Sequence, residues 1–130
     1  MGQPAAKQGD QITAMDTHII LVPAVVPVPT PVPHPFVGII DGGLSSDVKV
    51  MGRPAATLGS TATNTPPHVP IGGSFSVPPT NKGTIIAGSA TVLINKKPAA
   101  RNGDKAMTCN DPAPMPVGTV VAVGTVMIGG

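Results

Sequence analysis

The chain has no tryptophan, no tyrosine and no glutamate, and only two phenylalanines, Phe36 and Phe75. A large interior built on aromatic side chains is thereby excluded. Burial must come from Val, Ile, Leu, Ala and Met, whose small side chains suit a thin, sheet-based core. Without Tyr or Trp there is no stacking platform for bases. The pI near 9.0 comes from few charges rather than a basic patch, Lys96-Lys97 being the one basic pair, so the composition argues against nucleic-acid binding. With no glutamate, and aspartates mostly in turn-like sequences, little carboxylate is on offer for general-base chemistry. A single cysteine excludes an internal disulfide, so a chemical role for Cys109 would be that of ligand or nucleophile.

The opening "MGQPAAKQGD" lacks a basic segment followed by an apolar one, so no secretory signal is expected. The uncharged run from His18 to Ile40 is long enough for a membrane span, but it holds Pro23, Pro27, Pro29, Pro31, Pro33 and Pro35. Each would remove a helical hydrogen bond and clash with the preceding turn. The alternating prolines predict polyproline II or an edge strand instead. Glycine (16) and proline (17) are abundant enough to suggest low complexity. Yet charged residues are only 11% and Val/Ile-rich runs recur, the opposite of a disordered composition. By length this is one domain, 1–130, ordered, extended and turn-rich, with little or no helix.

A repeat underlies the turns. "PAAKQGD" (4–10), "PAATLGS" (54–60) and "PAARNGD" (98–104) share Pro-Ala-Ala, two variable residues, Gly, then Asp or Ser. Short alternating strands, "DVKVMGR" (47–53) and "ATVLINKK" (90–97), lead into the second and third copies, and "GTVMIGG" (124–130) resembles them at the end of the chain. The last strand should therefore lie beside the first copy and complete a third unit split across the termini. Residues 37–51, 83–94 and 118–128 read as hairpins with Gly/Ser-rich turns. Three like units predict a pseudo-threefold object; the plainer alternative is a small sandwich with similar hairpins.

Two of the three histidines and the cysteine follow the same repeat. His18 lies fourteen residues after Pro4, His68 fourteen after Pro54, and Cys109 eleven after Pro98; His34 lies in the proline-rich stretch. Singly, each histidine reads as a polar loop residue and Cys109 as a small buried apolar one. Jointly, His18, His68 and Cys109 would converge near a threefold axis, with His34 as a fourth donor. Such a set suits tetrahedral Zn²⁺, and four protein ligands would close the shell as in structural sites.

Pro98-Ala99-Ala100-Arg101, together with "PTPVPHPFVGIIDGG" and "GSATVLINKKPAARNGDKAMTC", resembles the PAAR-repeat family, named for that tetrapeptide; the other copies depart at Lys7 and Thr57. The resemblance implies an all-β, cone-like PAAR-type fold that caps the trimeric valine-glycine-repeat-type spike of a contractile injection system, either type VI secretion or a phage-tail-like particle. It implies one structural zinc near the vertex, held by His18, His34, His68 and Cys109, and a broad base seated on the spike trimer, one tip per trimer. It implies no enzymatic activity. Members often carry effector domains; here no effector extension is expected. The tip would be a monomer by itself, would assemble in the cytoplasm and would leave with the particle, touching the target membrane transiently. Its base is expected to be apolar and poor in charge. Two other readings compete: a small zinc enzyme with an open metal position, and a Pro/Gly-rich secreted structural protein.

Overall fold

The computed structural model describes residues 2–111 and 113–129. Its strands are β1 (Gln3–Pro4), β2 (Gln11–Val22), β3 (Val28–Gly42), β4 (Lys49–Val50), β5 (Arg53–Pro54), β6 (Thr61–Asn64) and β7 (Ser74–Phe75), followed by β8 (Lys82–Ile85), β9 (Leu93–Ile94), β10 (Lys97–Pro98), β11 (Lys105–Thr108), β12 (Met115–Val121) and β13 (Met127–Ile128). No helix occurs among the described residues; the fold is all-β, as the composition predicts.

Six strands close into a ring. β2 pairs with β3, β3 with β6, β6 with β8, β8 with β11, β11 with β12, and β12 with β2, all antiparallel. The register repeats at each step between units: Ile40 faces Ala62, Ile85 faces Ala106, and Val120 faces Ile12. All six of these side chains are fully buried. Within each unit a glycine stands opposite, Gly38 to Ile12, Gly83 to Ala62 and Gly118 to Ala106. A Cβ at Gly38 would come within 2.6 Å of the Phe36 ring, and one at Gly83 within 3.2 Å. Two of the recurring glycines thus make room for a single buried aromatic ring in a narrow interior.

The Pro-Ala-Ala turns form a ring of their own. Ala6 N–H donates to Ala100 C=O, Ala100 to Ala56 and Ala56 to Ala6, at 2.9, 3.1 and 3.0 Å. Isolated bridges join Ala5 to Arg101, Lys7 to Ala55, and Thr57 to Ala99. Three backbones meeting around an axis leave space only for a methyl group, which explains why Ala5, Ala6, Ala55, Ala56, Ala99 and Ala100 are all 2% exposed or less. The preceding prolines have no N–H to satisfy, but their carbonyls accept from Asn102, Gln8 and Leu58. The later residues of the repeat are explained too. Gly9, Gly59 and Gly103 have φ of 92°, 93° and 91°, a left-handed conformation that favours glycine. Asp10, Ser60 and Asp104 each accept from the N–H three residues back. Where that residue is Asp, the fourth repeat position is cationic and paired with it, Lys7–Asp10 at 3.1 Å and Arg101–Asp104 at 2.8 Å. Where it is Ser60, the fourth position is the neutral Thr57. The departures from Arg are therefore matched locally.

Below the alanines lie three short hairpins: β4–β5, β9–β10, and β13–β1 formed across the two ends of the chain. Gln3 faces Ile128 and Pro4 faces Met127, so the split third unit is real. Their inward residues Val50, Ile94 and Ile128 pack with Ala5, Ala55 and Ala99 as a second small core. Two expectations are corrected here. None of the expected hairpins 37–51, 83–94 and 118–128 forms: β3 pairs with β2 and β6, β8 with β6 and β11, and β12 with β11 and β2, while β4, β9 and β13 pair with β5, β10 and β1. The cause is the two-residue turns Met51-Gly52 and Asn95-Lys96, whose φ values are all positive, as the tight hairpin turns that match strand twist require. Nor is this end poor in charge. Lys49, Arg53, Lys96 and Lys97 are exposed on it beside exposed Met51, Leu93 and Met127.

At the opposite end the β2–β3 hairpin runs on past the ring, pairing continuously from Gln11↔Ile39 to Val22↔Val28. Pro29, Pro31, Pro33 and Pro35 face Leu21, Ile19, Thr17 and Met15. A proline cannot donate into a ladder, so these positions face the partner without exchanging hydrogen bonds. Consistently, Thr17 and Ile19 turn their N–H groups the other way, to Asn110 Oδ1 and Asp111 Oδ2. The prolines are also exposed, which places His34 and Phe36 on the buried face of β3. The edge-strand alternative is thus the one adopted, and its outer edge lacks the N–H groups through which a stray strand would pair.

Candidate metal centre

The alternation of β2 turns Ile12, Asp16, His18 and Ile20 inward, and that of β3 does the same for His34 and Phe36. Asp16 stands directly opposite His34, and His18 opposite Val32. His68 lies beyond β6 in an irregular segment, fixed by its N–H donating to Asn81 Oδ1 at 2.8 Å. Asn81 also accepts from Asn64 Nδ2. Cys109 directly follows β11. The equal offset of His18 and His68 from their prolines thus leads to different elements, a strand and a loop, although both arrive at one place.

The three imidazoles form a triangle, with ring centroids 4.7 Å apart for His18–His68, 5.5 Å for His18–His34 and 5.6 Å for His34–His68. Both phenylalanines of the chain flank it. Phe36 lies 6.0 Å from His68, while Phe75 lies 5.7 Å from His18 and 5.6 Å from His34. Cys109 Sγ is 3.7 Å from His18 Nε2 and 3.3 Å from Asp16 Oδ2, and His68 Nε2 is 3.0 Å from the same oxygen. One donor atom each from Asp16, His18, His68 and Cys109 lies within 4.8 Å of all the others. All four side chains are buried, that of His68 to 2% exposure. Asp16 is the member that reading the sequence missed. The available signal was its position two residues before His18, on the same face of an alternating strand.

The donor chemistry fits a metal. His34 Nδ1 lies 2.8 Å from Val32 C=O, which can only accept, so Nδ1 carries a proton and the neutral ring has its lone pair on Nε2. That Nε2 is buried and has no hydrogen-bond partner. An unsatisfied buried acceptor is costly, and a cation would satisfy it. His18 Nδ1 is likewise without a hydrogen bond, 3.6 Å from Asp111 Oδ2. Burial lowers the His18 pKa below its ordinary value, and His68 adds to the effect against the pull of Asp111 and Asp16; a neutral ring is the ligand form. Burial, then the Asp16 carboxylate, pushes the Cys109 thiol up to about 11. Without a metal it is therefore protonated at neutral pH, and a metal would have to displace that proton.

Residues 76–130 match the family model described as PAAR motif. The match covers the third Pro-Ala-Ala copy and runs through β13, and it includes Cys109. No curated protein matches the chain.

Proposed function

Because the chain carries a PAAR motif, we propose that it is the metal-stabilised tip of the trimeric spike of a contractile injection system, type VI secretion or a related phage-tail-like particle. The observation that carries the reading is the cyclic hydrogen-bonding of Ala6, Ala56 and Ala100, by which one chain presents three similar hairpins around an axis. A pseudo-threefold end is the shape that a threefold spike accepts, one tip per trimer. The other end narrows to a single long hairpin around a buried donor cluster.

At that end His18, His34, His68 and Cys109 hold one zinc in a structural role. Imidazole nitrogen and thiolate sulfur are the donors that zinc prefers, and when bound it ties β2, β3, the loop after β6 and the residue after β11 together. That supports rigidity where the alanine-rich core is thin. The protein supplies enough donors to close the shell, which supports a role without catalysis. The tip assembles in the cytoplasm, accompanies effectors in transit, and meets the target membrane with the uncharged β2–β3 end.

Two measurements test this. Elemental analysis of the purified protein should give about one zinc per chain, and loss of His18 together with His68 should release it while the alanine ring and its hairpins stay folded. Native mass of the protein mixed with its candidate spike should give one tip per three spike chains. A metal-free wild type, or a tip that ignores the spike, would overturn the reading.

A further inference from the structure

Asp16 is completely buried, and a carboxylate there needs a compensating charge. Among the described residues no Lys or Arg offers it, and the one basic side chain beside it is His68, 3.0 Å from Oδ2. Lys7 and Arg101 are paired with Asp10 and Asp104 in the turn ring, and the remaining Lys and Arg form no ion pair with Asp16. What surrounds the carboxylate is polar but neutral on one side and composed of metal donors on the other. Oδ1 accepts from Thr108 Oγ1 and from Asn110 Nδ2. Oδ2 faces His68 Nε2 and Cys109 Sγ. One oxygen is held and the other is aimed into the cluster.

We propose that Asp16 is a ligand of the metal centre through Oδ2, a fifth donor beside His18, His34, His68 and Cys109, and that it makes the loaded centre electrically neutral. The inference rests on the metal reading above. Three neutral imidazoles and one thiolate around a divalent ion leave one positive charge in a site flanked by Phe36 and Phe75. A bound carboxylate cancels it, and an uncharged centre is the cheapest to bury. Thr108 and Asn110 are positioning residues that hold Oδ1 and so orient Oδ2.

The test is Asp16→Asn, compared with wild type in chelator competition for Zn²⁺, in the visible spectrum of the Co²⁺-loaded protein, and in urea unfolding of the metal-free protein. Affinity should fall at least about tenfold. The cobalt bands should intensify as a five-donor shell becomes four. The metal-free variant should unfold at lower urea than metal-free wild type, because Asn offers one acceptor oxygen where the carboxylate faces Thr108, Asn110, His68 and Cys109 with two. Thr108→Val, which frees Oδ1 while keeping the carboxylate, should lower affinity less and serves if Asp16→Asn does not fold. Unchanged affinity and cobalt spectrum in whichever variant folds would overturn the proposal. So would a less stable metal-free Asp16→Asn with undiminished affinity, which would leave Asp16 a hydrogen-bonding residue of the fold. A wild type that takes up neither metal would instead overturn the metal reading itself, and this inference with it.

Discussion

Replacing Ile128 by alanine tests whether the ring of units is closed by its own chain ends. Ile128 is only a few residues from the C-terminus, where substitutions are ordinarily tolerated. Yet it is 6% exposed, against 8% for Ile94, and both pack in the same layer with Ala5, Val50, Ala55 and Ala99. Ile→Ala in a well-packed core costs about 2–5 kcal/mol; a layer this small and close to solvent should give the lower end, about 2–3 kcal/mol. The two substitutions should therefore cost the same. Deleting residues 124–130 removes more. It also strips the β1–β13 ladder, the acceptor of Ala5 N–H at Val126, and the acceptor of Ser89 Oγ at Gly129. At roughly 1 kcal/mol per hydrogen bond, the truncation should cost about 4–6 kcal/mol, a large part of the roughly 5–15 kcal/mol that holds a typical domain together. Urea unfolding of the metal-free proteins, with chelator present throughout, gives the three values directly. The closure argument fails if Ile128→Ala costs less than about 0.5 kcal/mol while Ile94→Ala costs its full amount, or if the truncated chain unfolds at the wild-type midpoint.

The matched pairs in the turn ring predict a compensating double substitution. Arg101→Thr alone leaves the buried Asp104 without its cation and should cost about 1–3 kcal/mol, whereas Arg101→Thr with Asp104→Ser recreates the Thr57–Ser60 arrangement of the second unit and should recover most of that loss in the same unfolding assay. The Cys109 thiol predicts two pH effects. Because its proton must leave when metal binds, zinc affinity measured by competition should fall about tenfold for each pH unit lowered across the neutral range, with a shallower slope in Cys109→Ser. In the metal-free protein, the folded-state value of about 11 lies above the 9.0 ordinary for a thiol. The unfolded chain therefore loses its proton first, and the stability due to the thiol is complete below pH 9 and declines as pH rises towards 11, by up to about 3 kcal/mol. Denaturation midpoints that stay flat across that window, or fall equally in Cys109→Ser, would contradict the assignment.

Much of this molecule is written locally. The Pro-Ala-Ala-x-x-Gly-Asp/Ser turns declare themselves because their requirements lie within seven consecutive residues: a fixed φ, two methyl groups, a left-handed glycine and a short acceptor side chain. The absence of helix among the described residues, the edge-strand alternative for the alternating prolines, and the pairing of Met127-Ile128 with Gln3-Pro4 follow from the same kind of periodicity, together with the repeat. His18, His34, His68 and Cys109 could be gathered into one candidate set because histidine and cysteine are rare here and three of the four, all but His34, fall at related places in the repeat. Only the tertiary structure decided which arms form the hairpins, since the turn at Met51-Gly52 competes with the Gly/Ser-rich loop before it and wins through the partner strand it selects. It also decided that half the Lys and Arg residues gather on the hairpin end, because surface charge depends on which strand faces outward rather than on local composition. Asp16 is the sharpest case. In sequence it is one aspartate among six, on a strand whose alternation marks it as inward. Its meaning depends on Thr108, Cys109 and Asn110, more than ninety residues away along the chain, and on His68, which reaches the same oxygen from another loop.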